Sequence, residues 1–232
     1  MQTAREYYQP LAAAYIRGKL HTVASSEYPE LFTPALEALS DDEIARLVAL
    51  AQAHELRLHR FKRSMDLPRV HKVLGILKGL QPTTLLDIGT GRGAFLWPLL
   101  DAWPHLPVTC IDRLAYRVND LQALHAGGVA QLQAIYGNVT QLPFKDRSFD
   151  VVTMLEVLEH IPETRQALAE VCRVAQRFVI FSVPSKEDTN PEHIYLFEQQ
   201  QLRVLLAEQG ITHIHVEYVH NHLIALARIE QP

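Results

Sequence analysis

The residues best equipped for chemistry sit in Glu156-Val157-Leu158-Glu159-His160-Ile161-Pro162, and a further histidine, His193, follows in Asn190-Pro191-Glu192-His193. If residues 156–160 form a helical turn, positions i, i+3 and i+4 share a face and bring Glu156, Glu159 and His160 together. Two carboxylates and two imidazoles suit a divalent cation such as Mg²⁺, Mn²⁺ or Zn²⁺. Such an ion holds two hydroxyls of an acceptor and lowers the pKa of one, which makes it a nucleophile. Two other readings use the same residues: His160 with Glu159 as a metal-free base, or both as capping and packing groups. The chain holds 12 histidines, so His193 alone does not decide between them.

A second group is Leu86-Asp87-Ile88-Gly89-Thr90-Gly91-Arg92-Gly93-Ala94. Glycines at 89, 91 and 93 let the backbone turn sharply and come close to a ligand. In an open α/β sheet, ligands sit at the carboxyl ends of the strands. Gly89-x-Gly91-x-x-Ala94 also satisfies the relaxed dinucleotide fingerprint. Asp112 closes the apolar run Thr109-Cys110-Ile111 and is placed to accept both hydroxyls of a ribose. NAD and S-adenosylmethionine (SAM) both carry one. Asp87 separates the two, because a carboxylate ahead of the loop attracts a sulfonium and an ammonium and repels a pyrophosphate.

Further along come Gly137-Asn138-Val139-Thr140 and then Leu142-Pro143-Phe144-Lys145-Asp146-Arg147-Ser148-Phe149-Asp150-Val151-Val152, ahead of Val157-Leu158-Glu159-His160. With these motifs in this order, the chain from about Thr83 to Arg228 resembles the class I SAM-dependent methyltransferases. The resemblance implies that Gly89, Thr90, Gly91 and Gly93 line the donor with Asp87, and that Asp112 holds its ribose. It places Arg113 beside the adenine, Asn138 on the adenine amino group and Val139 against the ring. It also implies a Rossmann-like α/β sheet of seven strands, mostly parallel, with the last pair reversed. Many members have a Pro-Gly-Gly turn before the fifth strand, whereas this chain has Val174-Ala175-Gln176-Arg177. The Glu156-x-x-Glu159-His160 and His193 set is similar to two metal-dependent branches, the RNA 3′-terminal ribose 2′-O-methyltransferases and the ubiquinone-pathway O-methyltransferases. Both act on paired oxygens, so methylation of a hydroxyl is expected, on a small molecule or an RNA 3′ end. Glu159 and His160 are then the catalytic residues. Leu155-Glu156-Val157-Leu158 is not the Asn/Asp-Pro-Pro-Tyr/Phe motif common in N-methyltransferases. The rival readings are an NAD(P)-binding oxidoreductase, which lacks the support of a Tyr-x-x-x-Lys pair, and a non-catalytic SAM-binding protein.

These residues need a sheet to position them. After Pro82, apolar runs at Thr84–Ile88, Val108–Ile111, Leu132–Tyr136, Phe149–Leu155 and Phe178–Val183 alternate with helical stretches at Ala94–Ala102, Ala115–His125 and Glu163–Val174. That alternation means parallel strands joined by right-handed crossovers. A helix over Phe197–Gln209 and two closing strands, His213–Tyr218 and His222–Arg228, complete the domain, read as 81–232. Residues 1–80 read as a helical cap. There Ser40-Asp41-Asp42-Glu43 forms a capping box for a helix running to about Arg63. Pro68 opens another helix that Gly79 stops.

The composition bounds the rest. The 232 residues are 48% hydrophobic and 21% charged, a globular balance, with a net charge of -4 that excludes a broadly basic nucleic-acid binder. Cys110 and Cys172 lie in apolar runs and read as buried free thiols of a reducing compartment. The N-terminus lacks the order of a signal peptide, with Arg5 and Glu6 early, and no apolar stretch reaches membrane-spanning length, so a cytoplasmic protein is expected. Residues 55–78 gather Arg57, Arg60, Lys62, Arg63, Arg69, Lys72 and Lys78 against Glu55 and Asp66, either a phosphate-collecting stripe or a solvated helix face. Tyr7, Tyr8 and Tyr15 are spaced for one helical face, as core or as a pocket roof.

Overall fold

The computed structural model of the chain describes residues 7–63, 67–186 and 190–230; Arg5, Glu6 and Asp66 lie outside them. The strands are β1 Leu85–Ile88, β2 Val108–Asp112, β3 Leu132–Tyr136, β4 Phe149–Leu155, β5 Ala175–Pro184, β6 Ile214–Val219 and β7 His222–Arg228. They form one sheet in the order β3-β2-β1-β4-β5-β7-β6. β1 pairs in parallel with β2 and β4, β4 in parallel with β5, and β7 runs antiparallel to both β5 and β6. The expected seven-stranded α/β sheet with a reversed final pair is therefore present. The central strands are continuous apolar runs because both of their faces are covered, and every residue of β1 is buried.

The helices are α1 Gln9–Ala24, α2 Pro29–Phe32, α3 Asp41–Ala53, α4 Pro68–Leu80, α5 Leu96–Ala102, α6 Ala115–Ala126, α7 Thr164–Val174 and α8 Gln199–Ala207. By compactness the chain divides into two units. One comprises Met1–Asp66, Gly91–His105 and Leu114–Ala134; the other comprises Leu67–Thr90, Leu106–Arg113 and Ile135–Pro232. Helix α4, inside the segment read as the cap, belongs to the second unit.

In the first unit α1 lies directly against α6. A Cβ on Gly18 would fall 1.9 Å from the carbonyl oxygen of Ala123, and one on Gly127 would fall 1.7 Å from that of Ala14. Side chains at these two positions would push the backbones apart. Tyr15, Phe61 and Trp97 stack beside them, with ring centroids 5.3 and 5.0 Å apart. In the second unit, Leu86, Ile88, Ile111, Val152, Met154 and Val179 belong to one buried cluster. Helix α7 joins it through Ala167, Leu168, Val171 and Val174, an apolar stripe at helical spacing.

Several local expectations are corrected. The Ser40 capping box forms, but α3 stops at Ala53, not Arg63. Glu55 turns left-handed at φ 56°, and the amide of Leu56 donates to Ala51 O at 2.8 Å, a helix stop made without glycine. Helix α4 runs through Gly79 and ends where Gln81 adopts φ 47°. Tyr7 and Tyr8 precede α1, so they share no helical face with Tyr15, which is core. The basic segment is no continuous stripe: residues 59–61 are a short 3-10 turn, and α4 begins at Pro68. Four of its cations are taken up by carboxylates: Arg60 by Asp120, Arg63 by Asp101, Arg69 by Glu156 and Lys72 by Glu217. Cys110 and Cys172 are free thiols; Cys110 is buried as expected, whereas Cys172 is only partly buried. Among the described residues, no helix is long and apolar enough to cross a membrane.

Candidate functional site

Parallel pairing sets the carboxyl ends of β1, β2, β4 and β5 along one edge of the sheet. Asp87 is opposite Cys110 on one side and Thr153 on the other. Its carboxylate is buried and accepts a 2.8 Å bond from Thr153 Oγ1. Burial raises its pKa to about 6, with the hydroxyls of Thr153 and Thr90 working against that rise and the charge of Asp112 adding to it. A carboxylate held in this state gains most from a nearby cation.

Gly89 continues the edge at φ 70°, and its amide donates to Ile111 O at 2.8 Å. A Cβ there would meet Val157 Cγ2 at 2.4 Å, so only glycine lets the residues after β4 approach this turn. Gly91 and Gly93 also take positive φ, 62° and 83°. At Gly93 the cause lies within the first unit, where a Cβ would strike the Trp97 ring at 2.0 Å. Asp112 is buried at the end of β2, and its carbonyl accepts from the Gly137 amide at 3.2 Å. Arg113 is exposed. Val139 is buried in the cluster that includes Ile111. Asn138 is exposed, and its Oδ1 accepts from Thr140 N at 3.1 Å, closing its own turn.

Beyond β4 the expected helical turn over 156–160 is absent. Only Leu158–His160 form a 3-10 turn, because Glu156 is left-handed at φ 57°. That backbone turns Glu156 away from Glu159 and His160. The Glu156 amide donates to Ser182 O at 2.8 Å, and its carboxylate accepts from Ser182 Oγ. His222 Nε2 lies 3.0 Å from Glu156 Oε2, and Arg69 Nε lies 3.8 Å from Oε1. Burial pushes the pKa of Glu156 up, but His222, Ser182 and Arg69 more than offset this and hold it below the ordinary value. Sequence reading did not single out Ser182 and His222 as site residues. A left-handed non-glycine residue carries no local signature, and these partners arrive from distant strands.

The other three predicted ligands do converge. One ligand atom each from Glu159, His160 and His193 lies within 4.8 Å of the others. Glu159 is fully buried, with His193 Nε2 3.9 Å from its Oε1. The two imidazoles stack edge to face with centroids 4.7 Å apart. His160 Nδ1 lies 2.8 Å from Glu192 O, and a carbonyl only accepts, so Nδ1 carries the proton and Nε2 is the nitrogen left with a lone pair. The amides of Ile194 and Tyr195 donate to Glu159 O at 3.0 and 3.3 Å, pinning the His193 segment to the Glu159 turn. Asn190 Oδ1 accepts from the Glu192 amide at 3.1 Å and shapes the segment's start. Two imidazoles and a buried carboxylate are a fitting donor set for a divalent transition-metal ion.

Residues 86–181 match the methyltransferase domain family. Among curated proteins, the malonyl-[acyl-carrier protein] O-methyltransferase of Geobacter sulfurreducens is 28% identical over 107 residues, 45% of this chain and 40% of that protein. The demethylmenaquinone methyltransferase of Thermotoga maritima is 27% identical over 128 residues, 55% of this chain and 54% of that protein. The chain thus spans about half the length, or less, of these relatives. The crystal structure of a SAM-dependent methyltransferase from Aquifex aeolicus shares the fold, with a TM-score of 0.57 at 22% identity over 72% of this chain and all of that one.

Proposed function

We propose that the chain, whose residues 86–181 match the methyltransferase domain family, is a class I SAM-dependent methyltransferase that methylates an oxygen of an acceptor carrying two adjacent hydroxyls. The observation that carries the reading is the convergence of Glu159, His160 and His193 at the end of β4. SAM supplies an activated methyl group, so the protein's task is orientation and proton handling. Asp87 and the Gly89–Thr90 turn hold the cationic end of the donor, and Asp112 holds its ribose. A divalent cation on Glu159, His160 and His193 would acidify a neighbouring hydroxyl. His160 keeps Nε2 turned to the acceptor side through its bond to Glu192 O. The buried carboxylate of Glu159 supplies the negative charge that balances a cation there.

A small molecule is favoured over an RNA 3′ end because four cations of the basic segment already serve carboxylates. By name, the Geobacter relative methylates oxygen and the Thermotoga relative acts on demethylmenaquinone. The test pairs binding with turnover. SAM, and not NADH, is expected to raise the melting temperature. Chelation is expected to stop formation of S-adenosylhomocysteine while SAM affinity persists, with His193→Ala behaving like the chelated enzyme. Full activity in excess chelator would remove the metal and leave His160 Nε2 as the direct base.

A further inference from the structure

Between the first turn of α7 and helix α8, the second unit holds a pocket of about 670 Å³, within the range of small-molecule sites. None of the residues assigned to the donor or to the Glu159–His160–His193 cluster lines it. Its apolar lining is Pro162, Tyr195, Leu196, Phe197, Val204 and Leu205. Tyr195, Leu196 and Val204 are 44%, 43% and 46% exposed, a concentration of apolar surface that water does not favour. The rings of Tyr195 and Phe197 lie 5.9 Å apart and are inclined by 49°, so they present faces in two directions.

The polar lining sets the sign of the charge this surface accepts. Arg165 is held by both oxygens of Glu208 at 2.8 and 3.1 Å, so its charge is already answered. Thr164 Oγ1 donates to Ile161 O at 2.9 Å, and Gln166 Nε2 donates to Thr140 O at 3.0 Å. Glu163 remains. It lines the pocket, and among the described residues its carboxylate has neither a hydrogen bond nor an ion pair. It stands at the N-cap of α7 without capping the helix through its side chain. The helix end there carries about half a positive charge, less than the full charge of the carboxylate. The first turn of α8 is closed by the capping box of Glu198 and Gln201. The pocket is therefore apolar, aromatic and net negative. An anion finds no free cation in it, and a neutral molecule leaves Glu163 unanswered. A cation with an apolar body pairs with Glu163, rests against ring faces and covers the exposed side chains.

We propose that this pocket is a binding site for a small organic ammonium ion with an aryl or alkyl body. The assignment stands apart from the reading of the methyl acceptor. Amide-resolved NMR titration of the full chain tests it with three probes of one shape: 4-phenylbutylammonium, 4-phenylbutanol and 4-phenylbutanoate. The ammonium is expected to shift the amides of Tyr195, Leu196 and Val204. It is expected to bind about tenfold more tightly than the alcohol, and the carboxylate more weakly than either. Glu163→Gln, at an exposed position, is expected to bring the ammonium to within about threefold of the alcohol while the melting temperature holds. Glu163→Lys is expected to reverse the order, with the carboxylate bound best. Equal affinity for all three probes would make the pocket merely apolar and overturn the proposal. So would an ammonium preference that survives Glu163→Gln, shifts confined to amides around Asp87 and Gly89, or no binding of any probe.

Discussion

Asp87 carries an ionisation cost that a cationic ligand offsets. Its folded pKa of about 6, against an ordinary 3.8, means that the folded state binds the proton more tightly than the unfolded chain. Stability therefore falls as pH rises from about 4 to about 6, by about 3 kcal/mol at most, and stays reduced above that. Asp87→Asn is expected to melt higher than the parent protein at pH 8, with the gain vanishing near pH 4, and to bind SAM more weakly. A cationic donor lowers the Asp87 pKa, so binding near pH 6 is expected to release a proton. Titration in buffers of different ionisation enthalpy measures that release. Glu156 has the opposite sign. Its depressed pKa supplies stability above the unfolded value that is lost as pH falls through the folded one. Glu156→Gln is expected to cost about 1–3 kcal/mol near neutrality, less in acid, because it leaves His222 without its charged partner.

At the scale of elements, the contact of α1 with α6 and the open surface of α4 make opposite predictions for the same substitution. Gly18→Ala drives a methyl group into the Ala123 carbonyl and is expected to destabilise by more than about 2 kcal/mol. Gly75→Ala, in α4 with nothing within 4 Å of the new Cβ, is expected to stabilise by about 0.5–1 kcal/mol. Denaturant titration of both variants checks the pair. The sheet was readable because its strands are short apolar runs set between turn and helix signals; β3, β4 and β7 fall on their expected residues. The cap was less readable. Helix α1 is buried on nearly every side, from Leu11 through Arg17, so it shows no polar face to set its phase and start. Glu159, His160 and His193 were legible as a set, since each follows a strand end. The diversion of Glu156 to Ser182 and His222 was not, because it depends on one backbone angle and on strands far along the chain.

For the molecule as a whole, charge placement outweighs charge count. The net charge of -4 hides a basic segment whose cations are largely spent within their own units, Arg60 and Arg63 in the first, Arg69 and Lys72 in the second. Binding to a short RNA is accordingly expected to be weak and to disappear on raising salt from 50 to 200 mM. Tight, salt-resistant binding, measured by fluorescence anisotropy, would restore the RNA 3′ end as acceptor. One junction links distant parts of the second unit. Helix α7 ends at Val174 and β5 begins at Ala175, with no residue between them to absorb a change. A strand alternates its faces with period two. One glycine inserted between 174 and 175 would therefore shift β5 by a residue, carry Ser182 into the place of Val183, and put the Phe181 ring where Glu156 finds its hydroxyl. The missing slack works as a ruler, by which the length of helix α7 sets the polarity beside the carboxyl end of β4.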